Sequence, residues 1–371
     1  MQGEIIHRLR RVMEEEEIDV TVAVSPENFA YTAGFVVPSQ SLMRWRHAMA
    51  VVTREGRESL VVVDMEETTV RSRAPEAEIR VWGEFTDRPM SVLARLLEEL
   101  GVAEGRIGLE MDYVPAGDLE ALRAFLPLAR FTAVEGIYAR LRQVKTPSEI
   151  DLIRRLSRIT DEAVGEALGS VRSGMTELDL AGILLKGLYA RGAEHFKLLI
   201  VASGERSEFP NVGPSNRILS PGDPLRVEIF GMIGGYHAAV CRTAVVRKAS
   251  PEIERIWRNL VECKHLVLDM IRPGAATGAI YQAFLKRFGE LNLPPISFVG
   301  HGIGLHLHEE PYLGKYSDSL LEEGMVLGVE PLVYGWGKGF GLQMKDMVLV
   351  TPDGSEVLSD RTANDDLIVI P

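Results

Sequence analysis

Cysteine is nearly absent from this chain: Cys241 and Cys263 are the only two in 371 residues. Two thiols exclude a disulfide framework and a cysteine-rich zinc site. Long apolar stretches are missing too. No run reaches the roughly eighteen apolar residues that a membrane-spanning helix needs. Positive charge is in deficit, with 41 Lys and Arg against 53 Asp and Glu, a net charge of −12 and a pI near 5.3. That field repels nucleic acid and anionic membranes, although it leaves room for a local positive pocket. The first residues, MQGEIIHRLRRVMEEEEID, read as a charged amphipathic helix without the apolar centre of a signal peptide. A cytoplasmic protein is the expectation, with neither nucleic acid nor membrane as partner.

What is present is ordinary globular material. Hydrophobic residues make up 46% and charged residues 25%, so disorder is excluded. The length suffices for two domains with buried cores. Helical and strand patterns alternate from the start: a helix over 3–17, strands at VTVAV (20–24), AMAVVT (48–53) and SLVVVD (59–64), then a helix over 90–100. A strand at 106–110 and a helix over 115–126 continue the alternation, which marks an α/β domain. Near residue 140 the pattern breaks. Thr146, Pro147 and Glu149 spell a helix cap, with proline at the first helical position and a capping box around it. The following region twice runs through a helix pair and then strands: helices over 148–171 and 175–192, and again over 251–272 and 277–291. Two domains follow, 1–138 and 139–371, the second built as duplicated α/β halves.

The reactive residues lie in the second domain. Gly300–Pro311, GHGIGLHLHEEP, holds His301, His306 and His308. It is not a helical zinc motif, which needs histidines four apart on one face, and its three glycines argue against a helix. In an extended chain His306 and His308 would share a face, and the glycines would let another strand approach closely. Three further charges sit inside apolar strands: Glu228 in LRVEIFG, Glu330 in GMVLGVEP and Lys345 in LQMKDMVLV. Such charges must be paired, hydrogen-bonded or metal-bound once buried. Together with the histidine run they predict one polar pocket.

These segments, with NFAYTAGF (28–35), RQVKTPSEI (142–150), VASGERSEFPN, SPGDPLRVEIFG and GGYHAAVCRT in the same order, resemble the creatinase/aminopeptidase P/prolidase family, the M24 or pita-bread group. The resemblance implies an α+β pita-bread catalytic domain behind an N-terminal α/β creatinase-like domain. Metallopeptidases of that group hold two metal ions with two aspartates, a histidine and two glutamates. Carried over, those positions fall on Glu228, Ala239, His301, Glu330 and Lys345. Alanine has no donor atom and lysine is a cation, so two of the five positions cannot ligate. Glu228, Glu330 and Lys345 sum to −1, and two divalent ions would leave about +3 in a low-dielectric pocket. The expectation is therefore no cofactor and no metal, with Lys345 as a charged hub between the glutamates. A single ion, if bound, is expected on Glu228, His301 and Glu330.

Within the family the segment around Met232, Ile233 and Ala239 resembles the metal-independent, creatinase-like members. That implies hydrolysis of a non-peptide C–N bond in a small amidino, ureido or cyclic amidine acid. Glu228 and Glu330 would grip the substrate, and His301 or His308 would act as acid/base near neutral pH. The family's catalytic histidine falls on Asn211, which cannot take a proton at neutral pH, so creatine itself is not the expected substrate. Lys345, Asn211 and Tyr236 are expected on the substrate side. Arg44 and Arg46 would reach it from the partner's N-terminal domain in a homodimer. Arg242 is expected to support the strand network. Two other readings stand beside this one: an Xaa-Pro aminopeptidase or dipeptidase with an eroded or mononuclear metal site, and a non-catalytic peptide-binding module.

Overall fold

The computed structural model describes residues 2–172 and 174–371. The chain divides into two compact units, Met1–Arg142 and Gln143–Pro371. None of the helices among the described residues is long and apolar enough to cross a membrane.

The first unit is a mixed sheet with helices packed on it. Its elements are α1 (Gln2–Glu15), β1 (Val20–Ala23), α2 (Pro26–Ala33), β2 (Met49–Thr53), β3 (Glu58–Val63), α3 (Glu67–Arg73), β4 (Glu78–Trp82), α4 (Pro89–Glu99), β5 (Arg106–Leu109), α5 (Ala116–Phe125), β6 (Arg130–Ala133) and α6 (Glu135–Gln143). The six strands run in the order β4-β3-β2-β1-β5-β6. The β1 strand pairs antiparallel with β2 and parallel with β5. Both β1 and β2 are buried along their whole length, which explains their continuous apolar runs: a sheet covered on both faces has no polar side to alternate with. Helix α4 supplies Met90, Leu93, Leu96 and Leu97 to that core. Burying each such side chain contributes about 1.5–3 kcal/mol.

The second unit opens with α7 (Pro147–Gly169), and both halves of its expected capping box form. Thr146 accepts from the Glu149 amide, and the Glu149 carboxylate accepts from the Thr146 amide at 2.8 Å. Helix α8 (Glu177–Ala190) repeats the device with Thr176 and Asp179. Then come β7 (His195–Ser203), β8 (Pro224–Ile233) and β9 (Tyr236–Val246), followed by α9 (Pro251–Met270) and α10 (Thr277–Glu290). The remaining strands are β10 (Phe298–Gly302), β11 (Glu309–Gly314), β12 (Val326–Val329), β13 (Leu332–Val333), β14 (Leu342–Gln343), β15 (Asp346–Thr351), β16 (Gly354–Val357) and β17 (Ile368–Ile370). One sheet runs β17-β9-β8-β7 and a second β11-β10-β12-β15-β16, with β13 and β14 as a separate pair. Trp257, Leu260, Phe284 and Phe288 of α9 and α10 share a core with Val329 and Val348 of the second sheet. The helix pair followed by strands therefore occurs twice, as the sequence predicts.

The histidine run is not one extended strand. It enters as β10, bends over residues 303–308 and returns as β11, so that Gly302 pairs with Glu309. A Cβ on Gly302 would lie 2.3 Å from the Glu310 carbonyl oxygen. Only glycine allows that close return. The bend removes the shared face expected for His306 and His308 and sends His308 back towards His301.

Candidate active site

Four buried polar side chains converge from separate strands of the second unit. Glu228 stands on β8, His301 on β10, Glu330 directly after β12, and Lys345 between β14 and β15. Lys345 is held by reciprocal backbone hydrogen bonds with Cys241 of β9, at 3.0 and 3.2 Å. Cys241 is itself the register partner of Glu228. The Lys345 ammonium thereby reaches Glu228 Oε1 at 3.2 Å and Glu330 Oε2 at 3.1 Å. It also sits 4.5 Å from the centre of the Phe230 ring, a cation–π contact that is stronger away from water. Lys345 is 1% exposed and His301 fully buried.

Charge pairing decides the protonation of this cluster. Burial alone would raise the Glu330 carboxyl, but the Lys345 ammonium and the imidazoles of His301 and His308 outweigh it and hold Glu330 at about 2. Burial would likewise discharge Lys345, and Glu330 and Glu228 reverse that and raise it. Both partners are ionised at neutral pH, as a buried pair with good geometry requires. Glu330 Oε2 also accepts from Gln343 Nε2 at 3.0 Å, and Arg226 in turn donates to Gln343 Oε1 at 3.2 Å.

The two histidines form a stack. The ring of His308 lies 3.6 Å from that of His301 at an interplanar angle of 14°. Nδ1 of His301 lies 2.8 Å from the Gly302 carbonyl oxygen; a carbonyl can only accept, so this nitrogen carries a proton. Its other nitrogen, Nε2, points at Glu330 Oε1 from 3.1 Å. The two atoms form a close buried contact, and neither has another hydrogen-bond partner among the described residues. Burial, then the neighbouring His301 and Lys345, push His308 down to about 3, so its imidazole is neutral at physiological pH. A base that weak is poorly matched to proton abstraction at neutral pH. His308 and Phe298 line a cavity of about 580 Å³ together with Glu310, Tyr312, Lys315 and Tyr316. Its volume is that of a small-molecule pocket.

Of the other residues singled out in the sequence, Tyr236 is buried with its hydroxyl donating to Glu149 at 2.7 Å, at the start of α7. Asn211 is exposed on the loop between β7 and β8 and hydrogen-bonds to none of the cluster's described residues. Arg242 joins the polar network as expected, 3.0 Å from Asp161 and 2.9 Å from Asp346. Asp346, although next to Lys345 in sequence, faces this second network. In the first unit Arg46 pairs with Glu84 at 2.8 Å, and Arg44 donates to the Tyr113 carbonyl at 2.9 Å. Sequence reasoning does not single out Gln343, Phe230 or Gly328. Phe230 lies two positions from Glu228 on β8, which puts the two on the same strand face, and Gln343 lies two positions before Lys345. That spacing is the available signal. At Gly328 a Cβ would meet Lys345 Cε at 3.1 Å and His301 Nε2 at 3.3 Å.

The two-metal centre of the family does not fit these residues. Ala239 offers no donor, its backbone amide facing the Met347 sulfur at 3.2 Å. Lys345 fills the place of the last acid with a cation already bonded to both glutamates. A smaller group does gather: the ligating atoms of His301, His308 and Glu330 all lie within 4.8 Å of one another. Glu228 is not among them, so the set differs from the single-ion trio expected from sequence by His308 for Glu228.

Comparison with known proteins places this geometry. Residues 151–352 match the model of metallopeptidase family M24, and residues 5–144 that of the creatinase/prolidase N-terminal domain. A Mycobacterium tuberculosis protein described as "Probable dipeptidase PepE" is 29% identical over 92% of this chain and 90% of its own length. The Xaa-Pro dipeptidase of Pyrococcus furiosus is 26% identical over 96% of this chain and 97% of its own. Among solved structures, the Xaa-Pro dipeptidase from Bacillus anthracis superimposes with a TM-score of 0.86 at 26% identity, covering 100% of both chains. These relatives correct the expectation of a creatinase-like hydrolase of non-peptide C–N bonds, since proteins matching along the whole chain are named as dipeptidases. The geometry gives the physical reason. Glu228 and Glu330 are already ion-paired with the one Lys345 ammonium, which leaves a net charge of −1 rather than two free carboxylates to grip a guanidinium or amidine. The chain has the pita-bread fold and belongs to metallopeptidase family M24.

Proposed function

We propose that this chain is a peptidase of short peptides, of the Xaa-Pro dipeptidase kind, working without the family's two-metal centre. The observation that carries the reading is the stack of His308 on His301, which joins the wall of the 580 Å³ cavity to the buried cluster at Lys345 and Glu330. A cavity of this size accommodates a dipeptide, and its polar lining offers donors and acceptors for the two ends of one. The whole-length likeness to proteins named as dipeptidases supports the same substrate class.

The test is hydrolysis of a panel of Xaa-Pro dipeptides by the purified chain, run beside guanidino, ureido and cyclic amidine acids. Cleavage confined to dipeptides, and reduced at least about 100-fold in Glu330→Gln, is the expected result. A folded protein that cleaves no dipeptide contradicts the reading.

A further inference from the structure

We propose that Lys315 selects the substrate of the 580 Å³ cavity: its ammonium takes the terminal carboxylate and restricts the pocket to peptides with a free C-terminus. The inference rests on the peptidase reading and names the substrate end that the cavity recognises. Lys315 is the one lysine or arginine among the described residues of the cavity wall. Its ammonium lies 5.2 Å from the centre of the Tyr316 ring and pairs with no carboxylate among the described residues. The chain carries a net charge of −12. Its overall field therefore opposes an anionic group, and a carboxylate entering the cavity needs a local cation. The same wall holds Glu310 and Asp318, which suit the ammonium at the other end of a dipeptide. Opposite charges on one wall match a zwitterion.

The backbone that carries Lys315 is held in place. Glu310, Tyr312 and Gly314 alternate along β11 and all line the cavity, as residues on one strand face do. Lys315 follows directly, and its amide donates to the Ser297 carbonyl at 3.0 Å. The turn beyond it is fastened to α10. The Thr277 and Ser317 hydroxyls lie 2.7 Å apart, and the Thr277 amide donates to the Ser319 carbonyl at 2.9 Å. A Cβ on Gly278 would lie 2.7 Å from the Ser317 carbonyl oxygen, so glycine permits that close docking. Lys315 itself is exposed, and its side chain has room to meet a ligand. A side chain tethered to a fixed backbone loses less freedom when it closes on a carboxylate. Phe298 and Tyr312 stand in the same wall. They offer aromatic surface to the C-terminal residue, and covering that surface keeps water from the ion pair.

The experiment is calorimetric binding to the full chain of a Leu-Pro analogue whose scissile carbonyl is replaced by a methylene, so that nothing is cleaved. The free acid is compared with its C-terminal amide, and hydrolysis of Leu-Pro and Leu-Pro amide is followed alongside. The acid should bind at least about tenfold more tightly than the amide. Lys315→Met, at an exposed position where the fold is safe, should bring the two within about twofold of each other. No binding of the acid, equal binding of acid and amide, or a preference that survives in Lys315→Met overturns the inference. Dipeptide cleavage without preference for the acid would overturn it and leave the peptidase reading standing. A Lys315-dependent preference for the acid with no dipeptide cleaved would do the reverse.

Discussion

The Lys345 ammonium bridges Glu228 on β8 and Glu330 just past the end of β12, a strand of the other sheet, at 3.2 and 3.1 Å. The pair is buried, so its partners depend on each other more than surface ions do. Replacing one member of such a pair strands the rest without counter-charge, at a cost of about 3–5 kcal/mol. Lys345→Met should therefore lower the stability of the chain by that amount, read from the urea midpoint. A change within about 1 kcal/mol, the scale of surface pairs, would show that the bridge is not what holds the strands together.

Gly328 keeps the space that Lys345 and His301 occupy. An added methyl would press on Lys345 Cε at 3.1 Å and on the His301 ring at 3.3 Å, and overpacking of this sort costs about 1–3 kcal/mol. Gly328→Ala should destabilise by that much and slow peptide cleavage. Gly182, exposed in the middle of α8, has no atom within 4 Å of the point where a methyl would stand. Gly182→Ala should instead stabilise by about 0.5–1 kcal/mol. Opposite signs in thermal denaturation are the check.

The two cysteines should be silent in the folded protein. Burial pushes the Cys263 thiol up to about 12 and Cys241 well above its ordinary range, and both are free thiols. The thiolate is the reactive form, so raised values mean a negligible reactive fraction near pH 8. A colorimetric thiol reagent should find no reactive thiol in the native chain and two after denaturation. Fast native reaction of either would contradict the buried placement.

Much of this architecture is legible in the sequence. Thr146, Pro147 and Glu149 announce α7 because a capping box is local and needs no tertiary context. Glu228, His301, Glu330 and Lys345 can be grouped because a charge in an apolar strand has few ways to be satisfied. How the charges are shared is not legible. Whether Lys345 neutralises the glutamates or leaves them open to a substrate depends on the register of β8, β9 and β15, which linear sequence does not contain. His308 escapes a linear reading for a related reason. In an extended chain it pairs with His306, whereas the bend over 303–308 stacks it on His301. Tyr236 matches a family position, but its hydroxyl is engaged by Glu149, a partner 87 residues away.

In the proposed peptidase Lys345 stands where a second metal would be, and counting metal tests that placement. The sample to count is protein that is actively hydrolysing an Xaa-Pro dipeptide, with ions and chains measured together. Fewer than two divalent ions per active chain is the predicted result. Two ions per active chain would contradict it, because Lys345 and a second ion cannot share that position.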